Sequence, residues 1–144
     1  KMGIFSIWST YRLLSRPFFF ERNGHQMTHI ELGRAGEQIA VGYLRDKGCK
    51  VVYRNYRGPR GGELDIVARE KDVLCFIEVK TRRKREGSRP LDAVNLAKQK
   101  LIERGANAWL ALLPTTDFIW RFDVIEVILE NGVPPHVVHV KNAF

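Results

Sequence analysis

The segments Gly62-Glu63-Leu64-Asp65-Ile66-Val67 and Phe76-Ile77-Glu78-Val79-Lys80 carry acids and a lysine at spacings that could assemble a hydrolytic centre. Read as strands, alternation puts Glu63, Asp65 and Val67 on one face of the first, and Phe76, Glu78 and Lys80 on one face of the second. A hairpin centred between Lys71 and Asp72 sets Asp65 opposite Glu78 and Glu63 opposite Lys80. Two carboxylates opposed across strands repel by roughly 0.2 to 1 kcal/mol unless positive charge lies between them. A divalent cation reverses that sign. Mg²⁺ favours one or two carboxylates together with waters and phosphate oxygens, and Asp65 with Glu78 offers such a half-shell. Lys80, on the same face, is placed to help deprotonate an attacking water or to stabilise charge on a phosphate. The same residues also fit a structural salt-bridge face, neutralised by Lys80 and nearby arginines.

Glu37 shares a helical stripe with Gly33, Val41 and Leu44, at the edge of an apolar face where an acid needs a partner. The small residues Gly33, Ala35 and Gly36 would let that helix approach a sheet closely, bringing Glu37 to the pair as a third ligand, direct or through water. Equally, Glu37 fits an exposed first-turn acid stabilised by the helix dipole. Basic residues flank the acids: Arg54, Arg57 and Arg60 before the second strand, then Lys80, Arg82, Arg83, Lys84, Arg85 and Arg89 after the third. Lys98 and Lys100 lie on a later helical segment. These side chains could lead phosphates to a cation, or form solvated loops and faces.

Around these residues the pattern sets the elements. Glu31 to Gly48 has helical periodicity. Lys50 to Tyr56, Glu63 to Arg69 and Val73 to Thr81 read as strands in a meander, the last two joined at Glu70-Lys71-Asp72. Leu91 to Leu113 reads as a second helix ended near Pro114, with Leu96, Leu101, Ile102, Ala106 and Trp109 on its apolar stripe. Phe118 to Leu129 is a fourth strand, Asn131-Gly132 a hairpin turn, and Val137 to Val140 a last strand, so the order is α-β-β-β-α-β-β. Residues 1–28 form an apolar and basic extension ahead of one domain, 29–144. No apolar run there approaches the ~20 residues of a membrane span and no small-residue cleavage site follows, so neither a transmembrane segment nor a leader is expected. The extension fits a docking or membrane-surface helix, or a partner-contact segment partly without order.

The chain has 144 residues, with 24 Lys and Arg against 16 Asp and Glu, a net charge of +8 that favours polyanions, nucleic acid first among them. Its two cysteines, Cys49 and Cys75, form no Cys-x-x-Cys pair, which excludes a disulfide framework or zinc ribbon and fits a reducing, cytoplasmic setting. His25 and His29 stand four apart, a spacing that on one helical turn offers two metal ligands, but nothing else in the chain supports a zinc site. His136 and His139, three apart in a strand, point to opposite faces and read as solvent or packing residues.

Taken together, Glu37, Asp65 and Glu78-Val79-Lys80 resemble the PD-(D/E)xK nuclease superfamily, an α/β fold whose core runs α-β-β-β-α-β around a central mixed sheet flanked by helices. Gly33-Arg34-x-Gly36-Glu37-x-x-Ala40, Arg54-Asn55-Tyr56-Arg57, Gly62-Glu63-Leu64-Asp65-Ile66, Phe76-Ile77-Glu78-Val79-Lys80-Thr81-Arg82, Lys98 and Arg121-Phe122-Asp123-Val124 resemble the small bacterial YraN-like family, over residues 29 to 129. Leu64 stands where the superfamily pattern has proline, a position that ligates nothing. The resemblance implies a fold similar to archaeal Holliday-junction resolvases. It also implies a metal-dependent endonuclease activity and leaves the substrate open; the reading adopted is phosphodiester hydrolysis in DNA, branched or junction structures included, with Mg²⁺ or alternatively Mn²⁺. On this resemblance Asp65 and Glu78, with the Val79 carbonyl, hold the metal, Lys80 is the catalytic lysine and Glu37 the helix acid. Glu63, Gln99 and Arg121 are candidate supporting residues around them. A homodimer would present two sites to two strands, and the N-terminal extension would supply an interface or contact another protein. The rival reading is a non-catalytic nucleic-acid-binding accessory module on the same fold; a membrane-associated basic protein anchored by residues 4–20 comes third.

Overall fold

The computed structural model describes residues 7–12, 17–84 and 94–144. Thr28 starts the first helix: its hydroxyl accepts the Glu31 N–H at 3.2 Å while the Glu31 carboxylate accepts the Thr28 N–H at 2.7 Å. This capping box begins α1 at His29 and the helix runs to Asp46, so it opens ahead of the expected Glu31. His25 lies outside it, in a small hairpin of β2 (Glu21–Arg22) and β3 (His25–Gln26), where its ring meets the Glu31 carboxylate at 3.3 Å. The two histidines therefore do not share a helical turn.

Three strands follow as the expected meander, β4 (Lys50–Arg57), β5 (Glu63–Glu70) and β6 (Val73–Arg83), with a short 3-10 turn at Pro59–Gly61 between the first two. Helix α2 spans Leu96–Ala111, capped by the Asn95 side chain on the Lys98 N–H. Part of the longer helix expected here, residues 91–93, falls outside the described residues, and Leu96 faces solvent instead of the core. Strands β7 (Ile119–Leu129) and β8 (His136–Lys141) complete the chain.

These strands form one sheet in the order β1-β8-β7-β6-β5-β4, where β1 is Ile7–Arg12. Only β6 and β7 are parallel, joined by the crossover that contains α2; the other neighbours are antiparallel. The helix considered for the N-terminal extension is not formed at residues 7–12. Their isoleucine, tryptophan, threonine and tyrosine favour extended backbone, and β8 offers a row of unpaired backbone groups at the sheet edge.

Alternation along β6 and β7 divides the core; in β5 it breaks once, since Leu64 lies on the side of Val67 and not on that of Ile66 and Ala68 as simple alternation has it. Ile66, Ala68, Cys75, Ile77, Ile125 and Val127 pack beneath Leu32, Ala40, Val41 and Leu44 of α1. Leu64, Val67, Phe76, Phe122 and Val124 pack beneath Ile102 and Ala106 of α2. Each fully buried aliphatic or phenyl side chain contributes about 1.5–3 kcal/mol. The result is an α/β fold with a mixed sheet and a helix on each face. Among the described residues no helix is long and apolar enough to cross a membrane.

Candidate active site

The acids meet where the β5–β6 ladder stops. Pairing runs from Glu70–Val73 to Ile66–Ile77, the register read from the turn, and goes no further. At the next position the Asp65 carboxylate, not a backbone carbonyl, accepts the Val79 N–H at 2.9 Å. A side chain has taken over a ladder bond, so the two strands part around Asp65 and Glu78. Glu78 is buried, at 8% exposure, and its carboxyl is pushed up to about 8 by that burial, by the charge of Asp65 and by a hydrogen bond with it. Lys98 partly offsets the rise from 3.6 Å.

The expected opposition of Glu63 and Lys80 does not form. Glu63 instead pairs with Arg57 of β4 and with Lys98 of α2. The bond from Lys98, opposed by partial burial, leads the effects that hold Glu63 below the usual carboxylate range. Lys98 was expected on a phosphate-facing surface; it lies among the acids because α2 lands directly on this stretch of backbone. A Cβ on Gly105 would lie 2.9 Å from the Glu63 backbone, and one on Gly62 would lie 2.5 Å from the Gly105 nitrogen. Lys80 is half-buried beside Glu126 of β7, and its amine makes no hydrogen bond or ion pair among the described residues. Glu126 is taken by Arg82, and its other oxygen is buried without a hydrogen-bond partner among those residues.

Glu37 arrives from the opposite face. Helix α1 crosses β6 so closely at Gly36 that a Cβ there would fall 1.8 Å from the Thr81 hydroxyl oxygen, whereas at Gly33 an added Cβ meets nothing within 4 Å. Gly36 is therefore the residue that brings the helix down. Glu37 is raised by burial and by the charge of Asp65, against a hydrogen bond from Asn55 and the charges of Arg54 and Arg34. Asn55 reaches it from a β4 segment that slips register between Val51 and Tyr53 and turns through a positive φ of 51°. Among the described residues, no three acidic, histidine or cysteine groups converge as a ready ligand set; Glu37 couples to Asp65 through its charge.

Of the remaining basic candidates, Arg54, Arg57 and Arg60 are exposed on or beside β4. Arg83 donates to the Met27 carbonyl at 3.3 Å and lies 4.8 Å over the Phe20 ring, and Lys84 pairs with Glu130 at 3.2 Å. Arg85 is outside the described residues. Gln99 does not support the acids: its amide donates to the Val94 carbonyl at 2.7 Å and secures the start of α2. Arg121 also stands apart. It bonds Asp123 at 2.8 Å and Glu70 at 2.7 Å, on the α1 side of the sheet and toward the β5–β6 turn.

That second polar cluster was not foreseen. His139, 2% exposed, accepts or donates between Tyr43 at 3.3 Å and Asp123 at 2.9 Å, so it is a buried network residue. Lys141 meets the other Glu70 oxygen at 2.8 Å. Burial works against charge on Asp123 and Glu70, and the bonds to them prevail and hold both carboxyls low. Also unforeseen are Tyr53, Tyr56 and Trp109, whose rings lie 5.2 to 5.9 Å apart beside the arginines of β4. Gly105, an unexplained glycine in a helical pattern, was the one signal in the chain that α2 had to touch backbone at Glu63.

The fold and site define an α/β protein with an acidic cluster where an antiparallel pair opens inside a mixed sheet. A model of the uncharacterised protein family UPF0102 matches residues 36–127. A UPF0102 protein of Syntrophotalea carbinolica is 49% identical over 115 residues, covering 80% of this chain and 92% of that protein. One of Chlorobium phaeobacteroides is 43% identical over 119 residues, covering 79% and 94%. One of Rhodococcus opacus is 40% identical over 119 residues, covering 82% and all of that protein. The chain belongs to family UPF0102, the YraN-like family expected from its motifs.

Proposed function

We propose that this protein is a metal-dependent endonuclease of the PD-(D/E)xK type, hydrolysing phosphodiester bonds in DNA. The observation that carries the reading is the break of the ladder at Asp65 and Glu78. A structural salt-bridge face has no need to set a buried Glu78 against a half-buried Asp65 and raise the former to about 8. The donor set suits a hard cation: Asp65, Glu78 and the Val79 carbonyl would hold Mg²⁺ or Mn²⁺. When bound, the ion supplies charge neutralisation at the phosphate and a lowered pKa for water. Lys80, uncommitted among the described residues, would then guide the attacking water and stabilise negative charge on the phosphate. Glu37, held by Asn55 and raised by burial, would orient water on the far side of Asp65. Arg54, Arg57 and Arg60 would guide the backbone in.

A second reading has one observation in its favour. Lys98, bonded to Glu63 and 3.6 Å from Glu78, already supplies a counter-charge, as a non-catalytic nucleic-acid-binding module would keep it. The deciding experiment is cleavage of labelled duplex, single-stranded, flap and four-way-junction DNA with Mg²⁺ or Mn²⁺, beside Asp65→Ala, Lys80→Ala and a chelator control. Metal-dependent cutting lost in both variants, with binding retained, is the expected result. Binding with no cutting on any substrate would establish the accessory module instead.

A further inference from the structure

A cavity of about 520 Å³ opens between the start of α1 and the end of β6, and it shares Glu37 and Val79 with the acidic site. Its volume lies in the ordinary range for small-molecule and cofactor pockets. Leu32, Val79 and Leu129 give it apolar walls; Glu37, Thr81 and Arg83 add an acid, a hydroxyl and a guanidinium. The Arg83 guanidinium is held beside the cavity by its bond to the Met27 carbonyl at 3.3 Å.

Gly33 lines the same cavity. Glycine is the poorest helix former after proline, so a glycine inside α1 needs a reason. Gly36 has one, the close contact with Thr81. Gly33 has none in the packing, because an added Cβ would meet nothing within 4 Å; what a side chain there would do is enter the cavity. Gly42 has equal room but lies exposed on the helix, away from this cavity.

We propose that this cavity takes one unpaired nucleobase of the substrate strand, next to the phosphate that Asp65 and Glu78 handle, and that Gly33 keeps it open. The proposal rests on the nuclease reading. Apolar walls suit the faces of a base, and Arg83, Thr81 and Glu37 supply the donors and acceptors that read its edge. The net charge of +8 and the arginines of β4 suit the strand that carries it. A base stacked in a duplex cannot enter a cavity in the protein, whereas a bulged, mismatched or single-stranded base enters at least cost. The site would accordingly prefer distorted DNA.

The test uses the full chain in chelator, so that nothing is cut, with a hairpin oligonucleotide carrying 2-aminopurine either as a single bulged base or paired in the stem. Binding is read from anisotropy, and the base's surroundings from 2-aminopurine fluorescence. Wild type is expected to bind the bulged hairpin at least tenfold more tightly and to change its fluorescence. Gly33→Leu is expected to remove that preference while binding the paired hairpin within twofold of wild type. Gly33→Ala, which improves the helix and fills less space, is expected to melt no lower than wild type and to lose only part of the preference, so the series stands even if Gly33→Leu folds poorly. Equal affinity of wild type for both hairpins, or an unchanged preference in a folded Gly33→Leu, overturns the cavity's role and leaves the nuclease reading standing. No binding of either hairpin by wild type also overturns the cavity's role, and the Mg²⁺ cleavage assay then decides the nuclease reading separately.

Discussion

At Glu78, burial, the Asp65 charge, a shared hydrogen bond and the Glu63 charge all act against ionisation, and Lys98 opposes them. Removing the Asp65 charge while keeping its acceptor isolates this effect. Asp65→Asn retains an amide oxygen for the Val79 N–H, so the opened strand geometry survives, and Glu78 then ionises at lower pH. The metal-free variant is expected to be more stable than wild type at pH 8 by about 1 kcal/mol, the scale of a relieved cross-strand repulsion. In thermal melts that is roughly 2 to 4 °C per kcal/mol. Stabilisation by added Mg²⁺, expected for wild type, is expected to vanish. A metal-free variant that melts below wild type at pH 8 would show that the two acids are not in conflict. This pair was legible in the sequence because alternation and one hairpin turn are enough to oppose residues on neighbouring strands. Glu63 and Lys98 were not legible as partners, since their meeting depends on where a helix from a later part of the chain comes to rest.

Between elements, glycines set the distances that put these residues together, and each carries its own sign. Gly36→Ala pushes a methyl into Thr81 and is expected to destabilise by about 1–3 kcal/mol as α1 lifts from β6. Gly33→Ala, facing open space, is expected to stabilise by up to ~1 kcal/mol through helix propensity. Gly105→Ala gains the same propensity but meets the Glu63 backbone at 2.9 Å, so a net loss is expected, with Lys98 drawn away from Glu63. Urea denaturation of the three variants checks the order. A Gly36→Ala protein as stable as Gly33→Ala would show that the close crossing is not needed. The elements themselves could be read from periodicity, and the start of α1 is written in the capping box Thr28-x-x-Glu31, three residues ahead of where the apolar periodicity sets in. Strand β1 was not readable, because residues 7–12 become a strand by completing an edge that β8, more than a hundred residues later, leaves open.

Across the whole molecule the sheet holds two kinds of acid, which respond to pH in opposite directions. Asp123 and Glu70 are held below their ordinary values of 3.8 and 4.5, so as pH falls the unfolded chain takes up protons first. Their contribution is complete above those ordinary values and is lost as pH falls through the lowered folded ones. Glu78 behaves in the reverse sense. Its folded pKa of about 8 exceeds the ordinary 4.5, so the folded chain keeps a proton that the unfolded chain has released. That contribution is complete below 4.5 and is lost as pH rises through 8. Glu37, raised as well, adds to the same alkaline arm. Metal-free protein should therefore be most stable in mildly acidic solution, near the point where the acid arm ends and the alkaline arm begins. Two variants separate the arms. Glu78→Gln is expected to flatten the decline between pH 5 and 8 and leave the acid side unchanged. Asp123→Asn leaves a buried His139 and Arg121 poorly matched, so it is expected to lower stability at neutral pH, by about 3–5 kcal/mol on the scale of broken buried pairs, and to shrink the acid arm. Added Mg²⁺ should raise the alkaline arm alone, because it replaces the proton at Asp65 and Glu78 and has no such role at Asp123. If Mg²⁺ stabilised the protein equally at pH 5 and pH 8, the ion would be acting away from Glu78, and the acids at the ladder break would be structural.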